Sequence, residues 1–147
     1  MTILNVYALI FDKDRRILVI RRQDAPLSWT IPGDKLGDGE SPIEGLVRIA
    51  YEAAQVKVRP THLIGVYATT FNDNLILSIE AEATEPDEEP KPGQDVADAG
   101  FFTAGNLPYP LHYVTRAMIN DAFEGKTGVI RVFSHPEPNE KNRGPEE

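Results

Sequence analysis

The 147-residue chain has 23 acidic and 15 basic side chains, a formal net charge of -8, 41% hydrophobic residues and no cysteine. This length suits one domain with a single core, and the lack of cysteine excludes disulfides, cysteine nucleophiles and thiolate metal sites. The chain shows no basic face for a nucleic-acid backbone, no apolar run that could span a bilayer and no secretory signal pattern, so we expect a cytoplasmic protein.

The N-terminal part of the chain contains short β-rich runs separated by turn residues. The turn-rich segment 12–16 lies between two such runs, which predicts a hairpin. A third short run ends at Pro32 and Gly33, since proline cannot donate to a central ladder. The strands predicted in this region are 5–11, 17–22 and 29–31.

A strong helix signal follows the loop that ends at Ser41. Ser41 can serve as N-cap, Pro42 stands at the first helical position, and Glu44 completes a capping box. The predicted helix runs from Pro42 to about Ala54. Apolar residues recur at helical spacing and are predicted to form its buried face, namely Ile43, Leu46, Val47, Ala50 and Ala54.

The C-terminal part predicts further strands and a second helix. The strands are 62–71, 75–83, 97–102 and 129–133, and the helix is 112–123. An acidic, proline-bearing loop fills 84–94, and 135–147 is a polar segment predicted to be a mobile tail. We expect one α+β domain over 1–134, with a mixed sheet packed between helices.

Residues 34–56 nearly match a spaced motif, G-x5-E-x7-R-E-U-x-E-E-x-G-U, in which U is a bulky aliphatic residue. Glu40, Arg48, Glu52 and Val56 are in register, whereas the motif's Gly, Glu, Glu and Gly are replaced by Asp34, Ile49, Ala53 and Gln55. The segment resembles the Nudix box of diphosphate hydrolases. Residues 95–102, followed by Leu107-Pro108 and a helix, resemble the C-terminal portion of that family. The resemblance implies an α/β/α sandwich with a mixed β-sheet.

The resemblance also implies a chemistry and a set of site residues. In the Nudix family, carboxylates of the loop–helix unit hold Mg2+ (or Mn2+) against a diphosphate. By position in the box, Glu40, Arg48 and Glu52 are the expected catalytic residues, and Glu52 and Glu40 are expected metal ligands, with Asp34 as a replacement oxygen ligand. Positions 49, 52 and 53 share one helix edge, so this chain keeps one of three carboxylates there.

Substrate contacts are expected outside the box. Arg21 and Arg22 end the second strand, where the family often presents a residue to substrate, and Tyr109 could stack on a base. The alternative for each is an ordinary surface or packing role. Likewise, Glu44, Arg48 and Glu52 at i,i+4,i+8 spacing could form a solvated charged stripe with weak ion pairs of about 0.3–0.5 kcal/mol, in which Arg48 pairs with Glu44 and does not hold the Glu40 loop.

These observations leave three functions open. The first is a Mg-dependent Nudix-type hydrolase of a nucleoside diphosphate linked to another moiety, with weakened or altered activity because Glu is absent at 49 and 53. The second is a catalytically inactive Nudix domain that binds a small phosphorylated or nucleotide-type ligand as a sensor or interaction module. The third is a structural domain that kept the scaffold, and a homodimer is open in every case.

Overall fold

The computed structural model describes residues 1–24, 28–85 and 87–136. Most of the predicted tail, residues 137–147, lies outside the described residues, as do residues 25–27 and residue 86 of the predicted acidic loop. The strands are β1 (Ile3–Phe11), β2 (Ile17–Arg22), β3 (Trp29–Thr30), β4 (Gly33–Lys35), β5 (Val58–Thr69), β6 (Asn74–Ala83), β7 (Val96–Phe102) and β8 (Val129–Phe133). The helices are α1 (Pro42–Ala54) and α2 (Tyr113–Phe123). Within the described ranges no helix is long and apolar enough to cross a membrane.

All eight strands belong to one mixed sheet, which confirms the predicted fold class. The main order is β3-β2-β1-β6-β5-β8, with β4 attached to β1 and β7 to β2. The strand β1 pairs in parallel with β6 along its whole length, and on its other side it pairs with β4 near its start and with β2 at its end. The strand β4 leads directly into the loop before α1. Because β4 pairs with the start of β1, a central strand, the loop and α1 lie over the centre of the sheet.

The helix α1 begins and ends where the sequence predicts. The Ser41 hydroxyl accepts the Glu44 backbone N–H, and the Glu44 carboxylate accepts the Ser41 N–H, so the capping box is complete. The predicted buried face is wrong at Ile43 and Val47, which are exposed. Apolar residues occupy more of this helix than one face can bury, so spacing alone could not show which flank faces the sheet.

The two helices lie on opposite faces of the sheet and define two apolar cores. One core joins α1 to the sheet through residues such as Leu46, Ile49 and Ala53. The other joins α2 to the sheet through residues such as Met118 and Ile119. This arrangement is the layered sandwich expected from the sequence.

A buried ion pair fastens α2 to the adjacent edge of the sheet. Asp121, which is 3% exposed, accepts hydrogen bonds from Arg131 Nε and Nη2 at 2.6 and 2.7 Å and from the Tyr67 hydroxyl at 2.6 Å. The hydrogen bonds from Arg131 hold the pKa of Asp121 below its ordinary value, against the opposing effect of burial. The contact therefore ties together β5, α2 and β8.

Candidate active-site cleft

Arg48 organises the loop that precedes α1. Its Nε and Nη2 donate to the two carboxylate oxygens of Glu40 at 2.8 and 3.0 Å, and Nη2 also donates to the Lys35 carbonyl at 3.0 Å. Glu40 in turn accepts the Gly37 N–H at 2.8 Å. The Arg48 contact, followed by the Gly37 N–H, lowers the pKa of Glu40. Glu40 is thus a carboxylate already neutralised by a guanidinium, and it holds the loop in shape.

The outer edge of α1 carries one carboxylate between two aliphatic residues. Glu52 is half exposed and accepts a hydrogen bond from Arg48 Nη1 at 2.9 Å. Ile49 and Ala53 are 3% and 6% exposed and belong to the core beneath α1. Together with Gly33 and Asp34 of β4, these three residues line a cleft of about 500 Å3. The floor of the cleft is therefore aliphatic at the two positions where the motif has glutamate.

A loop before β7 closes the C-terminal end of α1. The N–H groups of Lys91 and Gly93 donate to the carbonyls of Ala54 and Ala53, each at 2.9 Å, and so satisfy two end carbonyls of the helix. A Cβ at Gly93 would lie 1.8 Å from the Glu52 carbonyl oxygen. Only glycine allows this approach, which makes the loop one wall of the cleft.

The side chains present do not fit a preformed magnesium centre. Mg2+ takes near-octahedral oxygen ligands, but both oxygens of Glu40 are engaged by Arg48, and Asp34 Oδ1 accepts the Lys35 N–H at 2.8 Å. In the described part of the chain, no three Asp, Glu or His side chains are grouped so that they could hold a metal ion. The predicted ligands Glu52, Glu40 and Asp34 therefore remain a prediction without a shared coordination site.

A second cavity of about 410 Å3 lies between the sheet and α2. Its lining combines aromatic rings with neutral hydroxyl and amide groups, and includes Tyr7, Phe71, Tyr113, Asn72 and Thr115. Among the described residues that line it, Arg22 is the one Lys or Arg. The Thr30 and Thr115 hydroxyls lie 2.8 Å apart. Burial raises the pKa of the Tyr7 hydroxyl, so that this group stays a neutral donor at physiological pH.

Arg22 lines both cavities, and the two adjacent arginines differ in this respect. Arg22 Nη2 donates to the Gly33 carbonyl at 3.1 Å, which places its guanidinium beside the start of β4. Arg21 instead lies near Asp98, at 3.9 Å, and over the Trp29 ring. The register of β2 shifts between these two residues, and of the predicted pair only Arg22 lines the cavities.

The described lining of neither cavity includes Tyr109, whose exposed fraction is 68%. Tyr113, four residues later, lines the second cavity at the start of α2. Thr30, Thr69 and Asn72 also line it, although no sequence motif marks them. The alternation of side chains along β3 and β5 could have placed Thr30 and Thr69 on one face of the sheet. It could not show that a cavity lies over that face.

Comparison with known proteins agrees with this geometry. A family model described as NUDIX domain matches residues 1–122. The chain belongs to the Nudix family. An ADP-ribose pyrophosphatase of Methanocaldococcus jannaschii is 31% identical over 123 residues, covering 81% of this chain and 72% of that protein.

Solved Nudix structures share the fold at low sequence identity. A NUDIX hydrolase from Nitrosomonas europaea superposes with a TM-score of 0.80 at 17% identity, over 92% of this chain and 81% of that one. An ADP-ribose pyrophosphatase from Streptococcus suis gives 0.71 at 21% identity, over 90% and 99%. The scaffold of this Nudix domain is thus typical, and its departures lie in the residues that line the cleft.

Proposed function

We propose that this Nudix domain binds a small nucleotide-type ligand and has lost the metal-dependent hydrolysis of its family. The observation that carries the proposal is the aliphatic floor of the cleft. Neither Ile49 nor Ala53 can ligate a hard cation or accept a proton, and both are packed into the core. Two of the three positions that would gather metal around a diphosphate therefore carry aliphatic side chains buried in the core, and only Glu52 offers a carboxylate there.

The second cavity supports retention of a ligand. Its volume of about 410 Å3 lies within the roughly 300–1,000 Å3 range of small-molecule sites. Aromatic rings beside neutral donors and acceptors suit a nucleobase and sugar, because a base offers a π-face and a polar edge. Arg22 stands between this cavity and the cleft, where a guanidinium can hold phosphate by charge-assisted hydrogen bonds.

A second candidate function is a slow hydrolase that uses Mg2+ or Mn2+. The arrangement of Glu40, Arg48 and Glu52 is intact, and a relative at 31% identity is named an ADP-ribose pyrophosphatase. In this alternative the ligand would be ADP-ribose or a similar nucleoside diphosphate linked to another moiety.

Binding and hydrolysis can be tested separately. We expect calorimetric titration with ADP-ribose, ADP and UDP-glucose to give at least one saturable affinity near the micromolar range. Arg22→Gln should weaken that affinity about tenfold, the loss of one charge-assisted contact worth about 1.4 kcal/mol. The matched control is Arg21→Gln, because Arg21 faces Asp98 and lies away from both cavities.

Two results would contradict the binding proposal. One is the lack of any ligand-induced heat or thermal stabilisation across the panel. The other is an equal effect of both arginine substitutions, since the structure places only Arg22 at the cavities.

A further inference from the structure

The second cavity has a mouth formed by residues from three separate segments of the chain. Residues that line the cavity and are also exposed mark this mouth, and they are Phe71, Asn72, His112 and Pro136. The deeper lining is buried, as at Ile76, which is 6% exposed. Movement of any of the three segments therefore changes how far the cavity opens.

The segment that continues from β8 is held at this mouth from two sides. On one side, the Tyr113 hydroxyl donates a hydrogen bond to the His135 carbonyl at 2.6 Å, and the Tyr113 ring meets the Phe133 ring edge-on at a centroid distance of 5.4 Å. On the other side, Thr70 Oγ1 lies 3.5 Å from the Phe133 carbonyl oxygen. Residues 134–136, which we name the strap, thus reach from the end of β8 to the first turn of α2.

The strap touches the rest of the described chain at few points. All three of its residues are exposed, and of the hydrogen bonds among the described residues only the one from Tyr113 reaches it. Segments with few buried contacts are those that open locally at the lowest free-energy cost. The hydrogen bond between Tyr113 and His135 is therefore the main contact that keeps the strap at the mouth.

The sequence of the strap restricts its own motion. Pro136 has a fixed φ, and steric contact with its ring favours an extended backbone at His135. Proline also reduces the conformational entropy that the strap gains when it detaches. A short, stiff segment of this kind can be held by one hydrogen bond, and it moves as a unit when that bond breaks.

We propose that the strap is a latch that opens and closes the second cavity. In the closed state the Tyr113 hydroxyl holds the His135 carbonyl, and Pro136 forms one side of the mouth. In the open state the strap leaves Tyr113, and a ligand enters or leaves the cavity. This inference rests on the proposed function for the identity of the ligand, a nucleotide-type molecule, and not for the movement of the strap itself.

Thiol labelling of the ligand-free protein tests the latch without any nucleotide. The chain has no cysteine, so Ile76→Cys introduces a single thiol in the cavity lining, and Ile79→Cys introduces one on the same strand in the core beneath α1. Both isoleucines are 6% exposed, which makes them a matched pair. Adding Tyr113→Phe removes one hydrogen bond, so a bulky thiol reagent should react about fivefold faster at position 76 and at an unchanged rate at position 79. Equal acceleration at both positions, or none at position 76, would overturn the inference.

Ligand kinetics test what the latch does to binding. In Tyr113→Phe the association and dissociation rates of ADP-ribose should rise together by about fivefold, and Kd should change less than about twofold, because entry and exit pass through the same opening. The control Tyr109→Phe should change neither rate, since Tyr109 lies outside the described lining of both cavities. A rise in the dissociation rate alone would show that the Tyr113 hydroxyl binds the ligand and not the strap, and this result would also contradict the latch.

A second variant and the labelling result keep the latch separable from folding and from ligand binding. If Tyr113→Phe does not fold, Pro136→Gly loosens the strap while Tyr113 stays intact, and it should speed labelling at position 76 and not at position 79. If ADP-ribose, ADP and UDP-glucose all fail to bind, the proposed function fails, whereas selective acceleration at position 76 still establishes the latch.

Discussion

Restoring the two missing glutamates tests whether the cleft lacks only its carboxylates. In the double variant Ile49→Glu, Ala53→Glu, the new side chain at 49 would lie i,i+3 from Glu52 and i,i+4 from the new side chain at 53, on one helix edge. Ile49 and Ala53 border the cleft while their side chains are buried. The new carboxylates can therefore extend into the cleft, but the core beneath α1 loses an isoleucine.

The free energy of unfolding should fall in the absence of metal. Removing a fully buried Ile side chain costs about 1.5–3 kcal/mol, and three like charges on one helix edge add a further few tenths of a kcal/mol. We therefore expect a loss of about 3 kcal/mol in EDTA. A divalent ion that binds only the folded state at 100 times its dissociation constant would restore about 2.7 kcal/mol.

Urea unfolding with EDTA or with millimolar Mn2+ measures both effects. The control variant Ile49→Gln, Ala53→Gln has side chains of similar shape without charge, so it should lose stability in EDTA and regain none with Mn2+. The wild type should respond to Mn2+ no more than this control. Two results would refute the idea that the cleft lacks only its carboxylates. One is a glutamine variant whose free energy of unfolding rises with Mn2+; the other is a folded glutamate variant whose free energy of unfolding does not.

Three further predictions concern the parts that hold the cleft and α2 in place. Gly93→Ala should lower the free energy of unfolding by about 1–3 kcal/mol because its Cβ would collide with the end of α1; Gly105→Ala, with open space around its Cβ, should be neutral in the same urea titration. Asp121→Asn should make the free energy of unfolding fall less steeply as the pH is lowered. The pKa of Asp121 is lowered in the folded state, so this carboxylate gives its full stabilisation above its ordinary pKa and loses it as the pH falls through the folded-state pKa. An unchanged pH dependence of the free energy of unfolding in acid would contradict this. Arg48→Lys should speed amide hydrogen exchange at Gly37, because lysine cannot donate to both carboxylate oxygens of Glu40, which accepts the Gly37 N–H. An unchanged exchange rate at Gly37 would show that the loop keeps its shape without Arg48.

Much of the fold follows from local sequence signals. The capping box predicted the start of α1 at Pro42, and β-rich runs located β2 and β8 at their observed bounds. The short strand β4 was not predicted, because its three residues have neither alternation nor β-rich composition and depend on pairing with β1. The strand β5 begins at Val58, four residues before its predicted start, and its pairing with β6 is irregular between Pro60 and His62.

The candidate site was less predictable than the fold. Register with the motif selected Glu40, Arg48 and Glu52 and left the partner of Arg48 open; in the structure Arg48 donates hydrogen bonds to both of these carboxylates. Sequence could not decide between Arg21 and Arg22, because the strand register shifts between them at the end of β2 and no local pattern marks that shift. The second cavity is lined by residues from six separate segments of the described chain, so no local pattern could have shown its size.

The most direct test of the proposed function is a turnover assay on a ligand shown to bind. Wild-type protein saturated with ADP-ribose in the presence of Mg2+ or Mn2+ is followed by chromatography for AMP. We predict saturable binding with no AMP above the uncatalysed rate. Metal-dependent release of AMP that disappears in Glu52→Gln would contradict the claim that this Nudix domain binds without hydrolysis.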